Sequence, residues 1–286
     1  MNTLILRTDG ALLLPSADVC RKQPSPRIPV KDSMQATQLT GDTPPTEDSD
    51  RPLHIPVTDS VQAVCLPRNT PPTEGCEWVP LRKAYTLMSP DDYRTARRAA
   101  HLLHWHLHSR FCPVCGAPNQ ATGPGCKHCV RCGYEQFAPV TPAAIVRIER
   151  LLPEPAVLLV HAHTFTQPRY YGLVAGFVEP GENAEECVRR ETLEETNLHL
   201  TGLRYFTSQH WPYPQQLMLA FTAHADNPDD LRFNDAELTD ALWATRSEIV
   251  GWLENPDSGK PHIPDSASVA RMLIDDWINT CPQGTH

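Results

Sequence analysis

Several glutamates and one arginine fall at fixed spacing between residues 176 and 198, in the stretch GFVEPGENAEECVRRETLEETNL. On a helix, Glu191, Glu194 and Glu195 stand at positions i, i+3 and i+4, so their side chains share an arc of roughly 100°. Carboxylates this close repel one another unless cations neutralise them, and the hard ions Mg²⁺ and Mn²⁺ prefer oxygen ligands and also bind phosphates. Glu182 approaches from the preceding loop, and Arg190 can orient a carboxylate through a bidentate hydrogen bond. The stretch, hereafter the glutamate box, therefore predicts a metal site for phosphate chemistry rather than a solvated acidic helix face.

Hydrolysis at such a site also needs a proton acceptor. Divalent ions neutralise a pyrophosphate and make water a usable nucleophile, while one carboxylate serves as general base. The candidates within the glutamate box are Glu191 and Glu195, and a residue from a loop is the alternative.

Five of the ten cysteines fall between residues 112 and 132. Such crowding in a chain without an export signal indicates metal binding rather than disulfides. Two turns, CPVCG and CVRCG, each place a glycine after the second cysteine, which permits the tight turn of a zinc knuckle. We therefore expect a zinc ribbon with a closed, structural Zn²⁺ site at Cys112, Cys115, Cys129 and Cys132. Cys126 precedes Cys129 at the same spacing and is the competing ligand, but only the pair of Cys129 and Cys132 carries the glycine.

The elements that must position these residues follow from apolar periodicity. Beyond residue 140, short apolar runs at 143–148, 156–162, 173–178 and 216–223 predict strands, and 184–196 and 266–278 predict helices. This mixture indicates an α/β (α+β) fold in which helices cover a mixed sheet. Before it, Ser89 and Pro90 begin another helix. His101, His104 and His108 share a face of that helix, where packing or surface roles are preferred to a metal site.

The N-terminal part is less regular. Residues 3–14 predict a hairpin that turns at Asp9-Gly10. The segment from about 15 to 80 is rich in proline and contains a near-duplication, because IPVKDSMQATQLTGDTPPTE (28–47) returns as IPVTDSVQAVCLPRNTPPTE (55–74). We interpret the pair as a tandem insertion with ordered structure resuming at Trp78, and we expect a chain lacking 28–54 to fold and to act normally. The domains expected are 1–110 with the insertion 28–74, a zinc ribbon at 111–138, and the α/β domain at 139–280.

Composition limits the classes of partner. A formal net charge of −9 disfavours non-specific binding to nucleic acid, which needs a basic face. The sequence contains no run of 18 apolar residues, and the first sixteen residues make a poor signal peptide. We therefore expect a cytoplasmic protein that does not engage a membrane.

Two motifs resemble a known family. The glutamate box fits G-x5-E-x7-R-E-U-x-E-E-x-G-U, the signature of Nudix hydrolases, except that Thr192 replaces an aliphatic residue and Asn197 replaces a glycine. Asparagine tolerates the left-handed C-cap conformation, so the turn should survive. The segment SQHWPYPQQLM (208–218) is similar to S-Q-P-W-P-F-P-x-S-L-M of the NADH pyrophosphatases of the NudC type, and a zinc ribbon before the Nudix domain belongs to their architecture. The resemblance covers about residues 78–278.

This resemblance implies an α/β/α sandwich with a mixed sheet, preceded by the zinc ribbon and a small N-terminal domain. It implies a homodimer that uses Mg²⁺ or Mn²⁺ to hydrolyse NADH or NAD⁺ to NMNH or NMN and AMP, and that takes NAD-capped RNA as a further substrate. The substrate-binding residues it implies are Phe137, Phe177, Glu237, Ala270, Gln209 and Trp211.

Their implied roles differ. The aromatic rings of Phe137 and Phe177 would stack on the substrate, since stacking is worth about 1–3 kcal/mol per base, although a core role is the alternative for both. Glu237 would add a metal or substrate contact, and Ala270 would line a ring pocket. For Trp211, loop packing is preferred.

Two functional alternatives stay open at this point. One is a Nudix hydrolase of another dinucleotide, such as ADP-ribose or a diadenosine polyphosphate. The other is a non-catalytic regulator that binds NAD or ADP-ribose. Such regulators usually lose carboxylates of the box, and this chain keeps all four.

Overall fold

A computed structural model of the chain describes residues 2–15, 53–167, 169–234, 236–255 and 259–280. The chain divides into two compact units. The first comprises Met1–Val140 with Trp211–Gln215, and the second comprises Thr141–His210 with Gln216–His286.

The first unit contains a five-stranded sheet in the order β3-β4-β1-β2-β5. Its strands are β1 (Asn2–Arg7), β2 (Leu12–Pro15), β3 (Leu53–Thr58), β4 (Val61–Leu66) and β5 (Cys76–Val79). Strand β1 pairs antiparallel with β2 and parallel with β4. A short helix α1 (Leu81–Ala84) and the long helix α2 (Pro90–His108) follow.

The hairpin of β1 and β2 turns where the sequence predicts it, but its loop is one residue longer than the two-residue type. Arg7 N donates to Ala11 O at 2.8 Å and Gly10 N donates to Arg7 O at 2.8 Å, which leaves Thr8, Asp9 and Gly10 in the loop. Gly10 has φ 80°, a conformation that glycine adopts without steric cost. The turn is therefore a three-residue loop that ends in glycine.

The second copy of the duplication is ordered, so the expectation that structure resumes at Trp78 is wrong. Residues 55–66 supply most of β3 and all of β4, and Ile55 and Val57 are completely buried. Their alternation with partly exposed neighbours is the period-two pattern of a strand with one buried face. The proline-rich composition around this short pattern masked it.

The first copy, residues 28–47, lies outside the described residues. In register with the second copy, it carries Gln38 where Cys65 is 2 % exposed, and burying an amide without a partner is costly. Cys65 of the second copy suits this buried position. A chain lacking 28–54 would also lose Leu53 and His54, which begin β3, and its normal folding and activity stay a prediction.

Helix α2 begins as the sequence predicts. Ser89 is the N-cap, its side chain accepts a hydrogen bond from Asp92 N, and proline occupies the first turn. The histidines of α2 make packing contacts: His101 Nε2 lies 2.9 Å from Pro139 O, and the rings of His104 and His108 stack with centroids 4.2 Å apart.

Three short antiparallel strands follow α2 in the first unit. They are β6 (Asn119–Gly123), β7 (Cys126–Cys129) and β8 (Glu135–Phe137), paired in sequence order.

The second unit contains a six-stranded mixed sheet in the order β12-β13-β9-β10-β14, with β11 paired to β9. Its strands are β9 (Thr141–Arg150), β10 (Ala156–Ala162), β11 (Val174–Phe177), β12 (Leu200–Trp211), β13 (Gln216–Ala225) and β14 (Leu238–Thr245). Strands β9 and β13 run parallel, whereas β10 and β11 pair antiparallel with β9. The four predicted strands are confirmed, whereas β12 and β14 were not predicted.

Three helices belong to this unit: α3 (Ala184–Thr196), α4 (Arg246–Glu254) and α5 (Val269–Thr280). Helix α3 packs against β11 and β9, and α5 packs against β13 and β9. The predicted helix at 184–196 is confirmed at both ends, the predicted helix at 266–278 begins three residues later, and α4 was not predicted. Within the described ranges, the helices are too short or too polar to cross a membrane.

Candidate functional site

Helix α3 carries the glutamate box, and its ends are fixed by local chemistry. Asn183 caps the N-terminus in a reciprocal capping box with Glu186. At the other end Asn197 adopts the left-handed conformation, with φ 58°, and its N–H donates to Leu193 O at 2.9 Å. The predicted asparagine C-cap is confirmed, so the replacement of glycine leaves the helix end intact.

Three carboxylates meet at the C-terminal half of this helix. One oxygen from each of Glu191, Glu195 and Glu237 lies within 4.8 Å of the others, a grouping that could hold a metal ion. Burial, followed by the nearby charges of Glu191 and Glu237, raises the pKa of Glu195 to about 8, and burial likewise raises the pKa of Glu191. Glu237 is exposed, but burying Glu195 and partly burying Glu191 as anions is costly, and a cation between the three carboxylates removes that cost.

Arg190 holds the glutamates around it in place. Its Nε and Nη2 donate to the two oxygens of Glu182 at 2.8 and 2.9 Å, which is the predicted bidentate pair. Its Nη1 donates to Glu191 at 2.8 Å and to Glu194 at 3.1 Å. The hydrogen bonds from Arg190 lower the pKa of Glu182 to about 2. Glu182 is therefore ionised and engaged by the arginine rather than turned toward the group of three.

Glu194 does not join the group of three, although the helical spacing places it on the same arc. Its side chain is half exposed and its carboxylate accepts a hydrogen bond from Arg190. Of the four predicted metal ligands, the structure brings together Glu191, Glu195 and Glu237.

The glycine that opens the glutamate box makes room for one of these carboxylates. Gly176 lies on β11, opposite Ala144 of β9. A methyl group built on its Cα would lie 1.9 Å from both Cδ and Oε1 of Glu191. Glu191 can keep its position only because residue 176 has no side chain.

Three other predicted substrate-binding residues belong to the second unit and lie on different elements: Phe177 on β11, Gln209 on β12 and Ala270 on α5. Phe177 follows Gly176 on β11 and its side chain is half exposed, so a core role is excluded. Gln209 has both ends of its amide engaged, because Nε2 donates to Ala267 O at 2.9 Å and Oε1 accepts from Val269 N at 2.8 Å. Gln209 thereby clamps the start of α5, where Ala270 is buried.

Phe137 and Trp211 belong to the first unit. Phe137 is 66 % exposed and lines a cavity of about 530 Å³ together with His104, Trp105 and Tyr134. Trp211 packs edge-to-face on Tyr213, and the guanidinium of Arg82 lies over its ring. Loop packing, the preferred role for Trp211, matches these contacts.

The four cysteines of the two knuckles converge in the first unit. The Sγ atoms of Cys112, Cys115, Cys129 and Cys132 lie within 4.8 Å of one another. Backbone N–H groups of Cys132 and Arg131 point at Cys129 Sγ and lower the pKa of that thiol to about 6, which favours the thiolate that a metal needs. Cys126 lies outside this group, with its Sγ directed toward Lys127 O.

The sequence did not predict the turn that places Glu237 beside the carboxylates of α3. Asn234 opens this turn and accepts hydrogen bonds from the N–H groups of Ala236, Glu237 and Leu238. The asparagine-aspartate pair in NDAEL is a turn signal that could have revealed it.

Comparison with known proteins matches both units. Residues 141–264 match the model of the NUDIX domain, and residues 3–105 match that of the NADH pyrophosphatase-like rudimentary NUDIX domain. Three similar curated proteins are each named NAD-capped RNA hydrolase NudC. That of Chromobacterium violaceum is 37 % identical over 199 residues, which are 69 % of this chain and 69 % of the relative.

The other two are nearly as similar. The protein of Mycobacterium tuberculosis is 35 % identical over 70 % of this chain and 65 % of its own length. That of Pseudomonas aeruginosa is 34 % identical over 71 % of this chain and 68 % of its own length. The chain belongs to the NudC family of Nudix hydrolases.

Proposed function

We propose that this chain is a metal-dependent pyrophosphatase that cleaves NADH or NAD⁺ into NMNH or NMN and AMP, and that it also removes NAD caps from RNA. The observation that carries the proposal is the group formed by Glu191 and Glu195 of helix α3 and Glu237 of the turn before β14. The names of the curated relatives support the RNA substrate, and the motif at 208–218 supports the dinucleotide.

The donor set fits a hard divalent ion. All three side chains offer carboxylate oxygens and no nitrogen or sulfur, which suits Mg²⁺ or Mn²⁺. We assign the ion to Glu191, Glu195 and Glu237. When bound, it would neutralise the pyrophosphate and act as a Lewis acid.

The remaining residues of the chain position and support this centre. Arg190 donates hydrogen bonds to Glu182, Glu191 and Glu194, which holds the loop that carries Glu182 against helix α3. Water attack on a phosphorus atom needs a base, and a glutamate of the box would accept that proton. The exposed ring of Phe177, next to Gly176, offers a stacking surface for a base or for nicotinamide. Within the first unit, the exposed ring of Phe137 offers a stacking surface of its own.

We assign Zn²⁺ to the four knuckle cysteines as a structural ion. A tetrahedral site with four thiolates has no open position for substrate, so its contribution is to folding. Zinc ribbons with reduced thiolates persist in reducing compartments, which is consistent with a cytoplasmic enzyme.

A homodimer is part of the same proposal. The zinc ribbon and its flanks present large apolar side chains that are at least 45 % exposed, and this exposed apolar area supports an interaction surface in this part of the chain. These side chains are Phe111, Val114, Val130, Tyr134 and Phe137.

A substrate panel tests the proposal. Purified protein with Mn²⁺ is assayed on NADH, NAD⁺, NAD-capped RNA, ADP-ribose and a diadenosine polyphosphate at matched concentrations. We expect NADH and NAD-capped RNA to give the highest kcat/KM values. A kcat/KM at least tenfold higher on ADP-ribose or on the diadenosine compound would replace the proposal with the other hydrolase. Tight NAD binding without any turnover would replace it with the regulator.

A further inference from the structure

Glu237 lies on an exposed turn rather than on helix α3. Its carboxylate can therefore join Glu191 and Glu195 only if that turn is held in one conformation. Asn234 O accepts hydrogen bonds from Glu237 N at 3.0 Å and from Leu238 N at 2.9 Å. The side-chain oxygen Oδ1 of Asn234 accepts from Ala236 N at 3.1 Å. One residue therefore gathers the three N–H groups that define the path of the chain into β14.

The same residue connects this turn to the box helix. Asn234 N donates to the carbonyl oxygen of Glu195 at 2.9 Å, and two residues earlier Arg232 N donates to Thr196 O at 3.1 Å. Carbonyls in the last turn of a helix lack partners within the helix, so these bonds satisfy them. Glu195 thus shares a backbone bond with the residue that orients Glu237.

The turn is also held through the carbonyl of Glu237. His163 N donates to Glu237 O at 3.0 Å, next to an irregularity in the pairing of β10 with β14. The N–H of Glu237 is bound to Asn234 and its carbonyl to His163, so the position of Glu237 follows the conformation of the turn as a whole. The remaining adjustable contact is the side chain of Asn234, because the other bonds are made by backbone atoms.

We propose that Asn234 is a positioning residue for the metal centre, and that its side-chain oxygen sets the geometry with which Glu237 joins Glu191 and Glu195. This inference rests on the proposed function, which assigns a divalent ion to those three glutamates. Asparagine suits the position because its short side chain accepts a bond from the N–H two residues later. Alanine cannot do so, whereas serine can do so more weakly.

The test is Mn²⁺ binding to protein that keeps its zinc but is free of other divalent ions, with the free Mn²⁺ measured by its electron paramagnetic resonance signal. Residues that orient metal ligands typically contribute about 10–100-fold to metal affinity. We expect Asn234→Ala to raise the Mn²⁺ Kd about tenfold and Asn234→Ser to raise it about threefold or less. Glu237→Gln should raise it at least as much as Asn234→Ala, and the double variant should bind like Glu237→Gln alone.

Asn227→Ala is the matched control. The side chain of Asn227 accepts from His199 N at 2.8 Å and donates to Asn197 O at 3.3 Å, so it braces the same end of α3 without touching the turn of Glu237. Its removal should lower thermal stability but leave the Mn²⁺ Kd unchanged.

The outcomes separate the inference from the function on which it rests. If Glu237→Gln weakens binding while Asn234→Ala does not, the positioning role is wrong and the metal site stands. If Glu237→Gln binds Mn²⁺ like the wild type, the assignment of the ion to this group is itself wrong. Equal weakening by Asn227→Ala and Asn234→Ala would reduce the effect to general loss of structure and overturn the inference.

Discussion

Substitution of the first glycine of the glutamate box tests the geometry of the carboxylate group. In Gly176→Ala, the new methyl would sit 1.9 Å from Cδ and Oε1 of Glu191, whereas ordinary contact begins at 3.4 Å. The carboxylate must therefore move by about 1.5 Å or more, since β11 is held by its pairing with β9 and cannot retreat easily. That movement breaks the 2.8 Å bond from Arg190 and withdraws one of the three oxygens from the group.

A misplacement of about 1 Å at a reactive centre can cost about 10²-fold in rate. We therefore expect kcat for NADH to fall at least ~100-fold in Gly176→Ala, with a weaker Mn²⁺ affinity. The fold should persist because the group displaced is the far end of a side chain. The assay is steady-state hydrolysis of NADH, together with circular dichroism and Mn²⁺ titration.

Gly251→Ala is the matched control for this variant. Gly251 lies in α4, and a methyl group there would meet no described atom within 4 Å. Alanine is favoured over glycine in a helix by about 0.5–1 kcal/mol, so this variant should be slightly more stable and fully active. If Gly176→Ala keeps more than a tenth of wild-type kcat, then Glu191 does not act from the position described.

Three further predictions follow from single features. Thr192 is completely buried and its hydroxyl has no hydrogen-bond partner among the described residues, so Thr192→Val should stabilise the fold by about 1 kcal/mol in urea denaturation; destabilisation would contradict this reasoning. Cys112→Ser should lose zinc, measured by atomic absorption, and should melt earlier, whereas Cys126→Ser should do neither; the reverse pattern would show the wrong ligand set. In the folded protein without Mg²⁺ or Mn²⁺, the raised pKa of Glu195 favours its protonated form. The contribution of this group to stability is therefore complete below pH 4.5, its usual pKa, and is lost as the pH rises through about 8. Zinc-loaded wild type without Mg²⁺ or Mn²⁺ should therefore lose stability relative to Glu195→Gln over that range. Equal slopes of unfolding free energy against pH in the two proteins would contradict the burial of this carboxylate.

The sequence predicted the box helix to the residue because several signals agree there. The asparagine C-cap marks one end and the carboxylate spacing marks the functional face, while the capping box of Asn183 and Glu186 at the other end is a local signal that was not part of the prediction. The zinc knuckles were equally readable, since the glycine after Cys115 and after Cys132 distinguishes these pairs from Cys126 and Cys129 at the same spacing.

What the sequence could not provide was geometry that depends on distant residues. The separation of Glu194 from the other carboxylates arises from its bond to Arg190, and helical spacing alone does not distinguish it. Glu237 reaches the group through a turn anchored to the helix end 39 positions away, between Asn234 and Glu195. The strands of the second repeat were missed because prolines dominate the surrounding composition, while the buried alternation of β3 is only a few residues long and β4 does not alternate.

The most direct test of the account is product analysis with and without one carboxylate. NADH is incubated with Mn²⁺ and either wild type or Glu195→Gln, and the products are separated by liquid chromatography. We expect wild type to yield equimolar NMNH and AMP. Glu195→Gln, with native circular dichroism, should fall at least ~10²-fold in rate, the scale of a lost electrostatic contribution. An unchanged rate in this variant, or products other than NMNH and AMP from the wild type, would contradict the assignment of dinucleotide hydrolysis to this group of glutamates.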